Sequence, residues 1–183
     1  MIDPLIVKAV SIALGLMLLA AAWHKLSSLP EFTAVLSDYH LLPPFLVSSV
    51  APAIPMVEIL LGAGWLTGMA MNIVAPLTAG MFAVYGSAIA INLLRGRLHI
   101  SCGCGLGGAS SENQSLSWVL VVRNTVLLLL ALLPLVPVAE RTMVWIDWLT
   151  LSATLMASAL LYLGASQLLQ NGSAIRSWRN PRD

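Results

Sequence analysis

Cys102 and Cys104, separated by a single glycine, are the side chains of this sequence best suited to chemistry. A C-x-C pair closes into a disulfide only when its Cα atoms approach to within ~4.4 to 6.8 Å. Gly103 between the cysteines, and Gly105, Gly107 and Gly108 after them, give the backbone conformations closed to other residues, yet the small ring so formed is strained. Strained or exposed disulfides are the more oxidising and labile ones. Arg95, Arg97 and, further along, Arg123 supply cations that would stabilise a thiolate and raise the fraction able to attack a disulfide. The pattern points to thiol-disulfide exchange.

Two other readings of the pair stay open. His99, Cys102 and Cys104 offer three donors to a soft metal, one fewer than a closed zinc site takes. The cysteines could also be inert, or form a purely structural bridge. With only two cysteines there is no multi-bridge framework of the secreted kind, and there is no C-x-x-C-H haem motif, P-loop or hydrolase motif.

The elements that must position this pair are membrane spans. The chain has 183 residues, of which 58% are hydrophobic and 9% charged, with a mean hydropathy of +0.88. An ordinary soluble domain carries about 25% charged residues. This composition predicts an all-α integral membrane protein, a single membrane-embedded helical domain over residues 1–183. At ~20 apolar residues per crossing, a bundle of about five spans, four to five, covers residues 5–26, 47–71, 73–94, 118–137 and 145–169. The first stretch ends near an Ala20-Ala21-Ala22 run that resembles a signal-peptide cleavage region, but its length and the stretches that follow it read as a span. Between the first two spans, Ser28 and Glu31 form a capping-box pattern with Pro30 in the first turn. Phe32, Val35, Leu36 and Tyr39 then recur at helical spacing, so a short interfacial amphipathic helix is expected before Pro43-Pro44. Gly64 and Gly68 give the second span a small-residue face. The polar, glycine-rich cysteine loop, 95–117, is the longest segment that cannot span.

Because direction alternates between successive spans, the cysteine loop shares a membrane face with the connection that follows the first span. At or near that face lie His24, Lys25, Asn92, Arg95, Arg97, His99, Arg123 and Asn124, with Glu58 deeper, ~16 Å into its span. Polar groups converging at one end of a bundle are expected of a site. Glu58 and Arg123 can neutralise each other inside the bundle, and Lys25 with His24 can cap the helix end by reaching to the interface. Six cations, Lys25, Arg95, Arg97, Arg176, Arg179 and Arg182, fall on the cysteine face against Lys8 and Arg141 on the other, which favours a cytoplasmic cysteine face. The net charge of +1 and the lack of a basic run exclude nucleic acid as a partner. The lipid bilayer is the partner that composition requires.

Taken together, Trp23-His24-Lys25-Leu26, Glu58, Asn92-Leu93 with Arg95-Gly96-Arg97, Cys102-Gly103-Cys104, and Arg123-Asn124 resemble the methylamine utilization MauE family, which sits among the DoxX-like membrane proteins. At Ser101 and Gly105, where an acidic residue and an aromatic are common in the family, this chain differs. The resemblance implies a multi-pass protein of the bacterial inner membrane. It implies a role in the maturation, export or stabilisation of the methylamine dehydrogenase β subunit beside a thioredoxin-like MauD-type partner, and the C-x-C pair as the exchanging group. A relay between two dithiols needs four cysteines and this chain has two, so a partner or a bound carrier such as a quinone must complete it. No cofactor is required by the sequence itself. Two other functions remain open, a membrane scaffold that does no chemistry and a small-solute or proton transporter dependent on Glu58.

Overall fold

The computed structural model describes residues 3–96, 118–137, 141, 144–157 and 160. Among the described residues of the first of two compact units, Met1–Glu140, there are five α-helices: α1 Pro4–Ser27, α2 Leu29–Asp38, α3 Pro44–Thr67, α4 Met71–Leu94 and α5 Trp118–Leu132, the last running into a 3-10 turn, Leu133–Leu135. α1, α3, α4 and α5 with its turn are long and apolar enough to cross a membrane. No strand occurs among the described residues. The expected all-α membrane architecture is borne out.

Each span starts and stops for a local reason. Asp3 caps α1 by accepting a hydrogen bond from the Leu5 amide, 2.8 Å, with Pro4 in the first turn. α3 opens at Pro44, earlier than residue 47, and it ends at Thr67, short of residue 71. There Gly68 takes a left-handed φ of 73° and its N–H bonds back to Gly64 O at 3.0 Å, the usual glycine terminator. Gly68 therefore ends the helix; it is not part of a contact face. Ala70 then begins α4, so α3 and α4 form a helical hairpin. The capping box expected at Ser28 does not form: Ser28 also closes α1, its N–H held by His24 O, and its side chain makes no cap bond.

The bundle is assembled by inward stripes. Ser11, Leu14, Gly15, Leu18, Ala22 and Lys25 form the buried stripe of α1; Val47, Ala51, Pro55, Glu58, Leu61, Gly62 and Trp65 form that of α3, each at the three-to-four spacing of one helix face. An ideal Cβ on Gly15 would stand 2.8 Å from Leu66 and 3.1 Å from Gly62 O, so the two backbones meet where neither helix carries a side chain. Moving up α1 from Gly15 to Lys25 moves down α3 from Gly62 to Glu58. Moving up α3 from Glu58 to Trp65 moves down α4 from Tyr85 to Thr78. The neighbours are antiparallel. The core at the hairpin end comprises Leu14, Leu18, Leu61, Trp65, Ala75, Ala79, Phe82 and Ala131, while large apolar side chains such as Leu60, 72% exposed, and Val84 face outward, as lipid-facing residues do. α2 packs chiefly on α3, and Tyr39, just past its end, packs with Ile89 of α4.

The second unit, Arg141–Asp183, is described only in part, as a helix over residues 145–157. Asp147 organises its start, accepting from the Val144 amide at 2.9 Å and from Arg141 Nη2 at 2.8 Å, the backward-reaching half of a capping box. The rest of the expected fifth span, 145–169, lies outside the described residues apart from residue 160, as do Arg176, Arg179 and Arg182.

Candidate functional site

Glu58 is the hub. It sits on the same α3 stripe as Leu61, Gly62 and Trp65, so helix geometry that buries those residues buries it as well, to 1% exposure. A buried carboxylate needs compensation. Lys25 of α1, 5% exposed, places its ammonium on Glu58 Oε1, and the Tyr85 hydroxyl of α4 donates to the same oxygen at 2.8 Å. The ammonium also lies over two rings, 5.0 Å from the Tyr85 centroid and 5.4 Å from that of Phe32 on α2, close enough for cation-π attraction. One ion pair thus ties α1, α3, α4 and α2 together.

This corrects two expectations. The partner of Glu58 is Lys25 rather than Arg123, and Lys25 turns inward instead of reaching to the interface. The reason is register: the Gly15–Gly62 approach of α1 on α3 sets the end of α1 opposite Glu58. A neutralised, buried lysine is also no longer a marker of membrane orientation.

Beside the pair opens a small cleft of about 30 Å³ between α1, α3, α4 and α5. Lys25, Glu58, Tyr85, Arg123 and Asn124 supply its polar lining, and Met17, Leu18, Phe82, Leu120 and Leu127 much of its apolar wall. Arg123 is exposed. Asn124 is buried, its amide donating to Leu120 O at 2.8 Å, and its Cβ lies 3.4 Å from where a Cβ on Gly86 would stand. That glycine lets α5 close on α4. The structure therefore brings together Lys25, Glu58, Arg123 and Asn124 of the expected cluster.

Other members stand apart. Asn92, fully buried, lies about 10 Å further along α4 than Tyr85 at 1.5 Å per residue, its amide donating to Ala88 O at 3.1 Å. Arg95 is exposed at the end of α4, where its N–H bonds Ile91 O. His24 is exposed and does not line the cleft. Arg97, His99, Cys102 and Cys104 lie outside the described residues. Sequence reasoning missed Tyr85 and Phe32. Tyr85 could have been found, being three residues past Phe82 and seven past Thr78 on the buried stripe of α4; Phe32 was legible only as one apolar position of α2.

The description Methylamine utilisation protein MauE belongs to a family model that matches residues 3–137, the span from α1 to the end of the α5 turn. Among curated proteins, the chain is 38% identical over 132 residues to "Methylamine utilization protein MauE" of Paracoccus denitrificans, covering 72% of this chain and 69% of that one. It is 36% identical over 130 residues to the protein of the same description from Paracoccus versutus, covering 71% and 68%. To that of Methylorubrum extorquens it is 35% identical over 186 aligned positions, covering 93% and 92%. No solved structure matches.

Proposed function

The chain belongs to the MauE family of methylamine utilisation proteins, and from that membership we propose that it is a membrane factor for maturing, exporting or stabilising the methylamine dehydrogenase β subunit, acting by thiol-disulfide exchange at Cys102 and Cys104 with a thioredoxin-like partner of the MauD type. A role in methylamine utilisation and a membrane location follow from the family and from the four spanning helices. The bacterial inner membrane is the proposed compartment.

The observation that supports the thiol reading most is where the pair falls in the chain. The connection that bears it leaves the end of α4, past Arg95, and returns at the start of α5, which carries Arg123. Both helices line the charged cleft. In the exchange, the partner's dithiol is oxidised by the Cys102–Cys104 disulfide through a mixed disulfide: one S–S bond breaks as another forms. Two electrons pass to the chain, whose sulfurs end as thiols with the partner's two protons.

The test is trapping of the two cysteines with a membrane-permeant maleimide in intact cells, with and without the thioredoxin-like partner. Labelling only after reduction, with an oxidation state that changes when the partner is deleted, is the expected result. A chain with both cysteines replaced by serine that still matures the β subunit fully would establish the scaffold instead. Solute flux in vesicles that needs Glu58 and not the cysteines would establish a transporter.

A further inference from the structure

The pairing of Lys25 with Glu58 leaves one charge at this end of the bundle unanswered. Lys25 and Glu58 cancel each other. Arg123 of α5 remains, exposed, with neither an ion pair nor a hydrogen bond of its side chain among the described residues, although a guanidinium in a membrane-spanning helix is expensive without a partner. Its depth decides which anions can reach it. α5 runs antiparallel to α4: Leu120 packs against the Tyr39–Ile89 pair, Asn124 meets Gly86, and Ala131 shares a core with Ala79. From the Asn124–Gly86 level, Trp118 lies about 9 Å and Arg95 about 13 Å toward the cysteine connection, taking about 1.5 Å per residue. Trp118 is exposed, and an exposed indole at the end of a span sits in the headgroup layer. Arg123 is about 7 Å below it. Because Cα–Cβ bonds tilt toward the N-terminus of their own helix, the Arg123 side chain leans toward that layer, which its length can reach. Beside it, Val119, Val122, Val126 and Leu129 form an exposed apolar strip along α5.

We propose that Arg123, Trp118 and this strip form a binding site for an anionic phospholipid, its phosphate held by the Arg123 guanidinium, its headgroup beside Trp118 and an acyl chain along Val122, Val126 and Leu129. A guanidinium meets two phosphate oxygens at once, in one plane. The exposed Arg95 adds a second cation at the same end. A headgroup that brings its own cation, as phosphatidylcholine does, is therefore disfavoured against one that does not, such as phosphatidylglycerol. Free phosphate would gain nothing from the apolar strip. The site lies on the outer side of α5, and it does not depend on the thiol-disulfide reading.

The test is native mass spectrometry of the full chain in detergent, titrated with phosphatidylglycerol or with phosphatidylcholine. The first phosphatidylglycerol should bind about fivefold more tightly than phosphatidylcholine. Arg123→Gln should remove that preference, and Arg123→Lys, which keeps the charge but gives up the two-pronged geometry, should fall in between. Lys8→Gln, near the opposite end of α1, should leave it unchanged. Phosphatidylglycerol should also raise the melting temperature of the unaltered chain and not that of Arg123→Gln, as a ligand of the folded state does; this readout stands on its own if detergent masks the difference in mass spectra. Equal retention of phosphatidylglycerol by the unaltered chain and Arg123→Gln would overturn the site, and so would equal affinity for the two lipids. Displacement of the lipid by inorganic phosphate at millimolar concentration would overturn the lipid assignment in favour of a free anion.

Discussion

α3 carries two halves that solve opposite problems. Toward its end, Gly62, Gly64 and Trp65 pack α1 and α4 so closely that a Cβ on Gly62 would fall 3.0 Å from Leu19, and one on Gly64 2.7 Å from Val74. Even the buried indole N–H is served there, by Thr78 Oγ1 at 2.9 Å, which in turn donates to Val74 O. One turn back, Glu58 is as deeply buried, yet it keeps an oxygen without a partner among the described residues and borders a cleft. The close-packed half holds the helices in register. The polar half uses that register to hold charges in a place where packing alone would not put them. Local departures from a satisfied core of this kind mark sites.

The largest effect should come from splitting the charge pair. Glu58→Leu leaves Lys25 buried without a counter-charge, at a cost of about 3–5 kcal/mol, seen as a large drop in melting temperature in detergent. Adding Lys25→Met should recover most of it, since an apolar pair of similar volume is often as stable. A double variant that stays as unstable as the single one would mean that the pair itself, and not its balance, holds the polar half together. On the close-packed half, Gly62→Val should cost about 1–3 kcal/mol through overpacking, because Leu19 and the Gly15 carbonyl both stand about 3 Å from the new Cβ. It should also weaken the Lys25–Glu58 pair by shifting register, visible as a smaller penalty for Glu58→Leu in that background. Strict additivity would uncouple the two halves.

Four of the spans were readable from apolar run lengths, and the end of α3 moved where a backbone conformation outvoted hydropathy, at Gly68. The gathering of Lys25, Glu58, Arg123 and Asn124 was readable too, because alternating spans bring those helix ends to one face. Their pairing was not. Lys25 and Arg123 are both cations within a few turns of that face, and choosing between them needs the axial register of α1 on α3, which the Gly15–Gly62 approach decides at the far end of the core. Gly15 lies in an apolar run where one glycine gives no sign of what it faces. Ser28 shows the same limit on a smaller scale: its capping pattern is sound, but it already serves as the end of α1.

Smaller changes separate the members of the polar half. Tyr85→Phe removes one donor from Glu58 Oε1 and leaves Lys25 in place, so about 1 kcal/mol is expected. A loss as large as that of Glu58→Leu would make the tyrosine a principal support.

Arg123→Gln should change stability least, within ~0.5 kcal/mol, because the side chain is exposed and bonds no described group. Its effect should be on function: in cells the redox state of the Cys102–Cys104 pair should shift, since removing a cation from the helix that follows the cysteine connection lowers the thiolate fraction. The two measurements on one variant divide the polar half into a part that supports the fold, Lys25 with Glu58, and a part that the fold does not need. A melting temperature lowered as far as in Glu58→Leu would erase that division and place Arg123 among the structural charges. An unchanged melting temperature with an unchanged cysteine redox state would leave its cation without a task in the exchange.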